Sequence, residues 1–265
     1  MTPHELYETG NLQAAIKAAL TAVNEPPCDA ACGGLLWVLL CFAGQWERAD
    51  EHLQSVGRQD PQAEEEINRY RQLLRAEAAR QQVFEQGRTP EFVGAPTPVL
   101  RLHQDALICL RGGQATEAAR LLAQAAVQRP LVTGYCEGLE FVGFRDMDDL
   151  TAGYFEIFPP DGKYFWIPIE AVVSIEFRRP ERPLDQLWRR AYVLLSGGSE
   201  AEVFLPTLYP LTYRAENDQL RLGRDTDWIG HADEPVHGVG LRVFLVGDQD
   251  RTILAMDGLR FNAPV

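Results

Sequence analysis

Apolar residues are spaced differently in the two halves of the chain. Up to residue 131 they recur every three or four positions, as at Leu12, Ile16 and Ala19, which is the spacing of amphipathic helices. From Thr133 onward they alternate with polar residues between glycine-containing turns, which is typical of short strands. The pattern predicts a helical domain over residues 1–131 and a mainly β domain over residues 132–265.

The helical half contains a repeated unit, which is clearest over residues 44–61. A glycine is followed by an alanine five positions later and by a proline seventeen positions later, and the copies begin 34 and 69 residues apart. This is the period of tetratricopeptide-type helical hairpins, so we expect one degenerate copy within the longer interval. The three clear copies are Gly10, Ala15 and Pro27; Gly44, Ala49 and Pro61; and Gly113, Ala118 and Pro130.

Each residue of the repeat has a physical role in a helical hairpin. Glycine closes a helix in the left-handed conformation, alanine lets two helices approach closely, and proline ends a helix. The proline pair 26–27 is expected to end one helix and Asp29 to cap the next. That next helix is apolar on all sides from Leu35 to Phe42, which predicts the most buried element of the array.

A long helix is predicted after Pro61, and three prolines make residues 88–98 an extended connector. In the second half, Asp-Gly or Gly-Gly pairs predict hairpin turns at 161–162, 197–198 and 257–258. Further strands are predicted at 139–144, 172–177 and 241–246, and a short helix at 183–190. The predicted fold is a tetratricopeptide-like α-α superhelix followed by a compact, mainly antiparallel β domain, α+β overall.

Composition narrows the classes of partner. The 265 residues carry a formal net charge of −13, with a pI near 4.9, so nucleic acid and anionic membranes are disfavoured by repulsion. Basic or apolar protein surfaces are favoured instead. The start of the chain has no leader pattern, and the longest apolar run, Leu35–Ala43, is too short to span a bilayer.

The cysteines favour a reduced, intracellular protein. There are five of them, an odd number, and most stand in apolar helical segments. Cys28 and Cys32 have a loose metal-like spacing, yet no second Cys or His pair completes a site. The full set is Cys28, Cys32, Cys41, Cys109 and Cys136.

Several strings in the second half carry a family resemblance when taken in order. They are Asp146-Met-Asp148-Asp149 with Gly153-Tyr-Phe-Glu156, Trp166-Ile-Pro-Ile-Glu170, Leu187-Trp188, Glu202-Val-Phe-Leu-Pro-Thr-Leu-Tyr-Pro210, Leu222-Gly-Arg-Asp-Thr-Asp-Trp228 and Gly238-Val-Gly-Leu-Arg242. Placed after a helical repeat domain, they resemble the ImpE family, also called TagJ or SciE. These are accessory proteins of bacterial type VI secretion systems.

The resemblance implies a cytoplasmic, non-enzymatic protein without a cofactor. It implies binding to the N-terminal helix of the small sheath subunit TssB, and work beside the ATPase ClpV that disassembles the contracted sheath. The alternative within binding proteins is a general peptide-binding or chaperone-like adaptor unrelated to secretion.

If the ligand is a helix, its apolar face needs an apolar groove read at helical intervals. Counting from the repeat frame, the concave side of the first helix of each hairpin offers five candidates, with internal packing as the alternative for all of them. They are Val38, Cys41, His103, Leu107 and Leu110.

The second half adds one candidate for partner contact. Tyr209 stands between two prolines, so it either faces a partner or covers the sheet at a strand end. The other motif residues are assigned to structure or binding, with the three tryptophans expected in the core. They are Trp166, Trp188, Leu205, Pro206, Pro210, Arg224 and Trp228.

A metal-dependent enzyme is the remaining alternative class. The acidic run at 146–149 fails the calcium-loop spacing, because Thr151 and Ile157 occupy the positions that need glycine and glutamate, so a solvated turn is predicted. His231 and His237 lie in a loop with Asp233 and Glu234, and these four side chains could bind a metal. The usual polar composition of loops explains their presence without a metal. No nucleophile elbow or phosphate loop occurs in the sequence.

Overall fold

The computed structural model describes residues 1–24, 30–59 and 61–263. The first half is helical. The predicted proline stop at 26–27, the Asp29 cap and Cys28 lie outside the described residues. The helices are α1 (Pro3–Glu8), α2 (Leu12–Asn24), α3 (Ala30–Phe42), α4 (Trp46–Gln59), α5 (Glu64–Gln86), α6 (Pro98–Arg111), α7 (Ala115–Gln128) and, in the second half, α8 (Asp218–Arg221).

Short antiparallel strands begin at Thr133, where the apolar pattern changes. They are β1 (Thr133–Cys136), β2 (Leu139–Val142), β3 (Phe144–Asp146), β4 (Tyr154–Ile157), β5 (Phe165–Pro168), β6 (Val172–Phe177), β7 (Trp188–Leu195), β8 (Glu200–Pro206), β9 (Thr226–Ile229), β10 (His237–Gly240), β11 (Val243–Val246), β12 (Gln249–Thr252) and β13 (Gly258–Phe261).

The glycine and alanine positions of the repeat have the predicted geometry. Gly10, Gly44 and Gly113 adopt left-handed backbone conformations, with φ of 81°, 71° and 72°. The three alanines, at positions 15, 49 and 118, are fully buried. Consecutive helices pack against each other from α1 to α5, and α6 packs on α7. The first half therefore consists of helices that pack on their neighbours in sequence, and the tetratricopeptide-like superhelix stays a prediction.

Burial of α3 follows its composition. Every residue from Leu36 to Phe42 is buried, as the apolar surface of this helix predicts. The long helix after residue 61 is also present as α5, and Gly87 closes it with φ of 80°. Unlike α3, α5 buries charged side chains, because Glu77 and Arg80 face the β half of the molecule.

The second half is built on a six-stranded sheet of order β2-β1-β13-β6-β7-β8. A three-stranded sheet, β12-β11-β3, and the two-stranded sheets β4-β5 and β10-β9 complete it. The predicted turns at 161–162 and 197–198 join the paired strands β4–β5 and β7–β8. The prediction of a hairpin at 257–258 was wrong, because β13 pairs instead with the distant strands β1 and β6.

The short helix predicted over 183–190 is a 3-10 helix over Pro183–Gln186 only, because β7 begins at Trp188. The predicted boundary between residues 131 and 132 falls in the irregular segment between α7 and β1. One hydrophobic core nevertheless extends across it, from Leu36 and Leu107 to Trp188 and Phe204. Within the described ranges, no helix is long and apolar enough to cross a bilayer.

Residues 212–224 of the β half lie against the turns of the first two repeats. The side chain of Gln219 fills the space beside Gly10, and the ring of Tyr213 fills the space beside Gly44. Asp218 Oδ2 accepts a hydrogen bond of 3.0 Å from the Leu12 amide, so it caps the first turn of α2. The chain itself therefore covers part of the helical surface that a repeat domain would present to a ligand.

Candidate functional site

An apolar cleft of about 620 Å³ lies between the helical half and the β half. This volume is in the range of pockets that bind ligands or side chains of a partner. Three groups of residues line the cleft. They are Phe84, Leu107, Leu110 and Arg111 from α5 and α6; Pro210, Leu211, Arg214, Ala215, Glu216, Asn217 and Leu220 from the segment ending in α8; and Asp148, Leu150, Asp227, Ile229, His237, Gly238 and Val239 from the β half.

The helical wall contains two of the residues predicted from periodicity. Leu107 and Leu110 stand three apart on α6, so their side chains share one face of the helix. Leu107 is buried and Leu110 is half-buried. Ile108, which points away from that face, is 58% exposed. The wall is thus the partly covered apolar stripe of an amphipathic helix.

The second wall contains an unusual backbone conformation. Leu211 has φ of 63° and ψ of 6°, a left-handed conformation that is costly for a leucine. It stands at the start of a 3-10 turn, where its carbonyl accepts a 2.9 Å hydrogen bond from the Arg214 amide. Its side chain is half-buried against the cleft. Its strained backbone and its position make Leu211 a candidate for a role in the cleft.

The third wall is the β9–β10 hairpin, which two aspartates hold in place. Asp148 Oδ2 accepts a 2.9 Å hydrogen bond from the Gly238 amide, while its Oδ1 accepts one of 2.7 Å from the Leu150 amide. Asp149 Oδ2 accepts a 2.9 Å bond from the Val236 amide, and the Asp149 amide donates to the Val236 carbonyl at 2.9 Å. The acidic run therefore fixes a wall of the cleft.

Tyr209 lies directly beneath the hairpin. Its hydroxyl is 3.0 Å from Asp146 Oδ1 and 3.0 Å from both the amide nitrogen and the carbonyl oxygen of Val243. A Cβ atom at Gly238 would overlap the Tyr209 ring, so only glycine lets the hairpin approach so closely. With 1% of its surface exposed, Tyr209 covers the sheet, and a partner does not reach it in this conformation.

Below the cleft, a buried ionic network joins α5 to the β half. Arg80 Nε and Nη2 bond to the two carboxylate oxygens of Glu156, at 2.7 and 2.9 Å, and Nη2 also donates to the Leu208 carbonyl at 2.9 Å. Arg242 pairs with the same carboxylate and lies 3.4 Å from Asp146 Oδ2. Glu77, also beside Arg80, accepts a 2.8 Å bond from the Trp188 indole.

Burial and neighbouring charges shift the pKa values of Glu156 and Asp148 in opposite directions. Burial alone would raise the pKa of Glu156, but the charges of Arg80 and Arg242 outweigh it and lower the pKa to about 2. Burial and the neighbouring Asp146 together raise the pKa of Asp148 well above its ordinary value. Glu156 is therefore the ionised centre of the network.

The remaining groove candidates predicted from the repeat frame lie in the interior. Val38, Cys41 and His103 are 4%, 0% and 2% exposed. Burial lowers the pKa of His103 to about 4 despite its 3.0 Å hydrogen bond to the Leu150 carbonyl, so the ring is neutral near pH 7. In this conformation the three side chains serve packing, and a role in partner binding stays a prediction.

The motif residues divide by position. Five of them are buried: Trp166, Trp188, Leu205, Pro206 and Pro210. Trp228, which the sequence places in the core, is instead 37% exposed. It sits on the hairpin, over the edge of the Tyr209 ring. Arg224 is exposed but donates to the carbonyls of Tyr7 and Glu8, so it fastens α1 to the β half.

The prediction of a solvated turn at the acidic run was wrong. Asp146 and Asp148 are 0% and 1% exposed, because their carboxylates bind backbone amides and Arg242. Within the described residues no group of three or more His, Cys, Asp or Glu side chains could hold a metal ion, and Cys41, Cys109 and Cys136 are free thiols. The cleft offers a partner its shape, apolar contact and the charged residues of its rim.

Comparison with known proteins gives consistent results. Residues 138–260 match the family described as ImpE protein. The type VI secretion system accessory component TagJ of Pseudomonas aeruginosa is 29% identical over 261 residues, which cover 98% of this chain and 91% of that protein. The crystal structure of protein VPA1032 from Vibrio parahaemolyticus has a TM-score of 0.91 at 27% identity, covering 98% of this chain and 97% of that one. Both relatives therefore match the helical half as well as the β half.

Proposed function

The chain belongs to the ImpE family, and from this we propose that it is a cytoplasmic accessory component of a bacterial type VI secretion system. In this proposal the cleft binds the N-terminal helix of the small sheath subunit TssB. The protein holds and positions that helix without catalysis, and thereby assists ClpV-linked turnover of the sheath. The tetratricopeptide-like helices supply one wall of the binding site, and the β half supplies the others.

The proposal is supported by the apolar stripe of the helical wall and by the apolar residues that face it across the cleft. Amphipathic helices bind by placing residues at intervals of three and four into apolar grooves. Leu107, Leu110 and Phe84 provide such a surface, and Leu211 and Ile229 face it from the β half. Leu110, Leu211 and Ile229 are all partly exposed, so apolar area is available for a partner to bury.

The variant Leu211→Gly tests the cleft without damaging the fold. Glycine adopts φ of 63° readily, so the substitution relieves backbone strain while it removes the side chain from the cleft mouth. We expect the melting temperature to be unchanged or raised. Binding of a synthetic TssB N-terminal peptide, measured by calorimetry, is expected to weaken about tenfold, since about 1.4 kcal/mol of apolar contact is lost.

The matched control is Leu131→Gly, which removes a leucine that is 75% exposed and lies outside the cleft. It should leave the peptide affinity unchanged. If the wild-type chain does not bind the peptide at micromolar concentrations, the TssB assignment is wrong. Equal affinity of wild type and Leu211→Gly would place the binding surface elsewhere.

A further inference from the structure

We propose that the cleft selects a helix with lysine or arginine beside its apolar face, and that Glu216 and Asp227 receive those charges. This inference rests on the proposed function, because it concerns the chemistry of the segment held in the same cleft. It identifies two specificity-determining residues and the kind of sequence that they favour.

The arginines of the cleft are already engaged within the chain. Arg111 Nη1 donates to the Val83 carbonyl at 2.9 Å, near the end of α5, where the helix dipole favours a positive charge. Arg214 pairs with Glu85 on the same helix. The charge of Arg214 is therefore paired with a carboxylate, and the charge of Arg111 is partly offset by the C-terminal end of α5.

The two acidic side chains of the rim, by contrast, have no ion-pair partner among the described residues. Glu216 and Asp227 are both exposed and line the cleft. Neither carboxylate forms an ion pair with any residue in the described part of the chain. Asp227 Oδ1 accepts a 2.8 Å bond from the Trp228 amide, which orients its carboxylate but leaves its charge uncompensated. The rim thus has two free negative charges beside an apolar floor.

The two unpaired carboxylates favour a partner helix that carries positive charges. A helix whose apolar residues enter the cleft brings its flanking positions over the rim, where a basic side chain meets Glu216 or Asp227 and an acidic one is repelled. The net charge of −13 acts in the same direction at longer range, by steering basic segments toward the protein. The apolar floor provides affinity, and the rim discriminates between basic and acidic partner helices.

The test uses the double variant Glu216→Gln, Asp227→Asn, in which both side chains keep their size and the new amide oxygen at position 227 can still accept the Trp228 amide bond. Binding of the synthetic TssB N-terminal peptide is measured by calorimetry at low and high salt. At low salt we expect the double variant to bind about fivefold more weakly than wild type, as two rim ion pairs are lost. High salt should weaken wild-type binding and remove most of the difference.

The control is Asp248→Asn, Asp250→Asn, which removes the same number of charges at exposed positions outside the cleft. It should keep at least most of the wild-type affinity and salt dependence. If wild type and the rim variant bind equally at low salt, the charge inference is overturned while the cleft proposal stands. If the control weakens binding as much as the rim variant, net charge and not the rim is responsible, which also overturns the inference. Failure of the folded wild-type chain to bind overturns both proposals.

Discussion

Replacing Glu156 by glutamine is expected to lower the free energy of unfolding by about 3–5 kcal/mol, because it removes the carboxylate that two buried arginines share. Arg80 and Arg242 are 2% and 1% exposed, and both pair with this carboxylate. Glutamine has nearly the same shape, so packing is preserved and the loss reports the charge. Chemical denaturation at pH 7 measures it.

The pH dependence identifies the cause of that loss. The pKa of Glu156 is about 2 in the fold, against an ordinary value of 4.5, so its ionic stabilisation is complete above pH 4.5 and is lost as the pH falls toward 2. The difference in stability between wild type and Glu156→Gln should therefore shrink across that interval. A difference that stays constant from about pH 7 to about pH 2.5 would contradict the ionic explanation.

An exposed ion pair provides the control for this experiment. Glu117 pairs with Arg120 one turn along α7, and both side chains lie in solvent. Glu117→Gln removes the same charge from the same kind of pair, yet no measurable change in stability is expected, because solvent screens exposed pairs. A large effect of this variant would show that net charge, not burial, determines the response.

Replacing Gly238 by alanine is expected to abolish most peptide binding, with an affinity loss of about a hundredfold, at a cost of about 1–3 kcal/mol in stability. The new Cβ overlaps the Tyr209 ring, so either the ring or the β10 backbone has to move. Movement of the β10 backbone displaces His237 and Val239, which line the cleft on both sides of Gly238, and movement of the ring removes the support beneath the hairpin. Calorimetric titration with the sheath peptide measures the affinity, and thermal unfolding measures the stability.

Gly197 is the matched control for that substitution. A Cβ atom at this position would have no neighbouring atom within 4 Å, and the residue lies in the β7–β8 turn, away from the cleft. Gly197→Ala should change neither affinity nor stability appreciably. Normal peptide binding by Gly238→Ala would show that the hairpin wall is not part of the binding surface.

Local patterns in the sequence predicted much of the helical half. The glycine and alanine positions of the repeat have consequences within one or two turns of helix, so spacing alone identified their conformation and burial. Counting from the repeat frame also selected Leu107 and Leu110, which line the cleft, and their role in binding stays a prediction. The apolar surface of α3 predicted its burial, and that same burial makes Val38 and Cys41 inaccessible in this conformation.

The rest depended on contacts between distant segments. Asp146 and Asp148 resemble a surface turn in the sequence, because their partners Arg242 and Gly238 come about ninety residues later. β13 forms no hairpin with its preceding segment, because β1 competes for it from the start of the β half. The cleft joins α6, the segment around Leu211 and the β9–β10 hairpin, so no single stretch of sequence could indicate it.

Hydrogen exchange of the wild-type chain, with and without the TssB N-terminal peptide, shows where on the chain the peptide binds. Exchange reports which backbone amides become protected when a partner covers them. We expect new protection at the end of α6, in residues 210–220 and in the β9–β10 hairpin, with little change in α2 to α4. Protection confined to α2–α4, or no protection at saturating peptide, would contradict the cleft as the binding site.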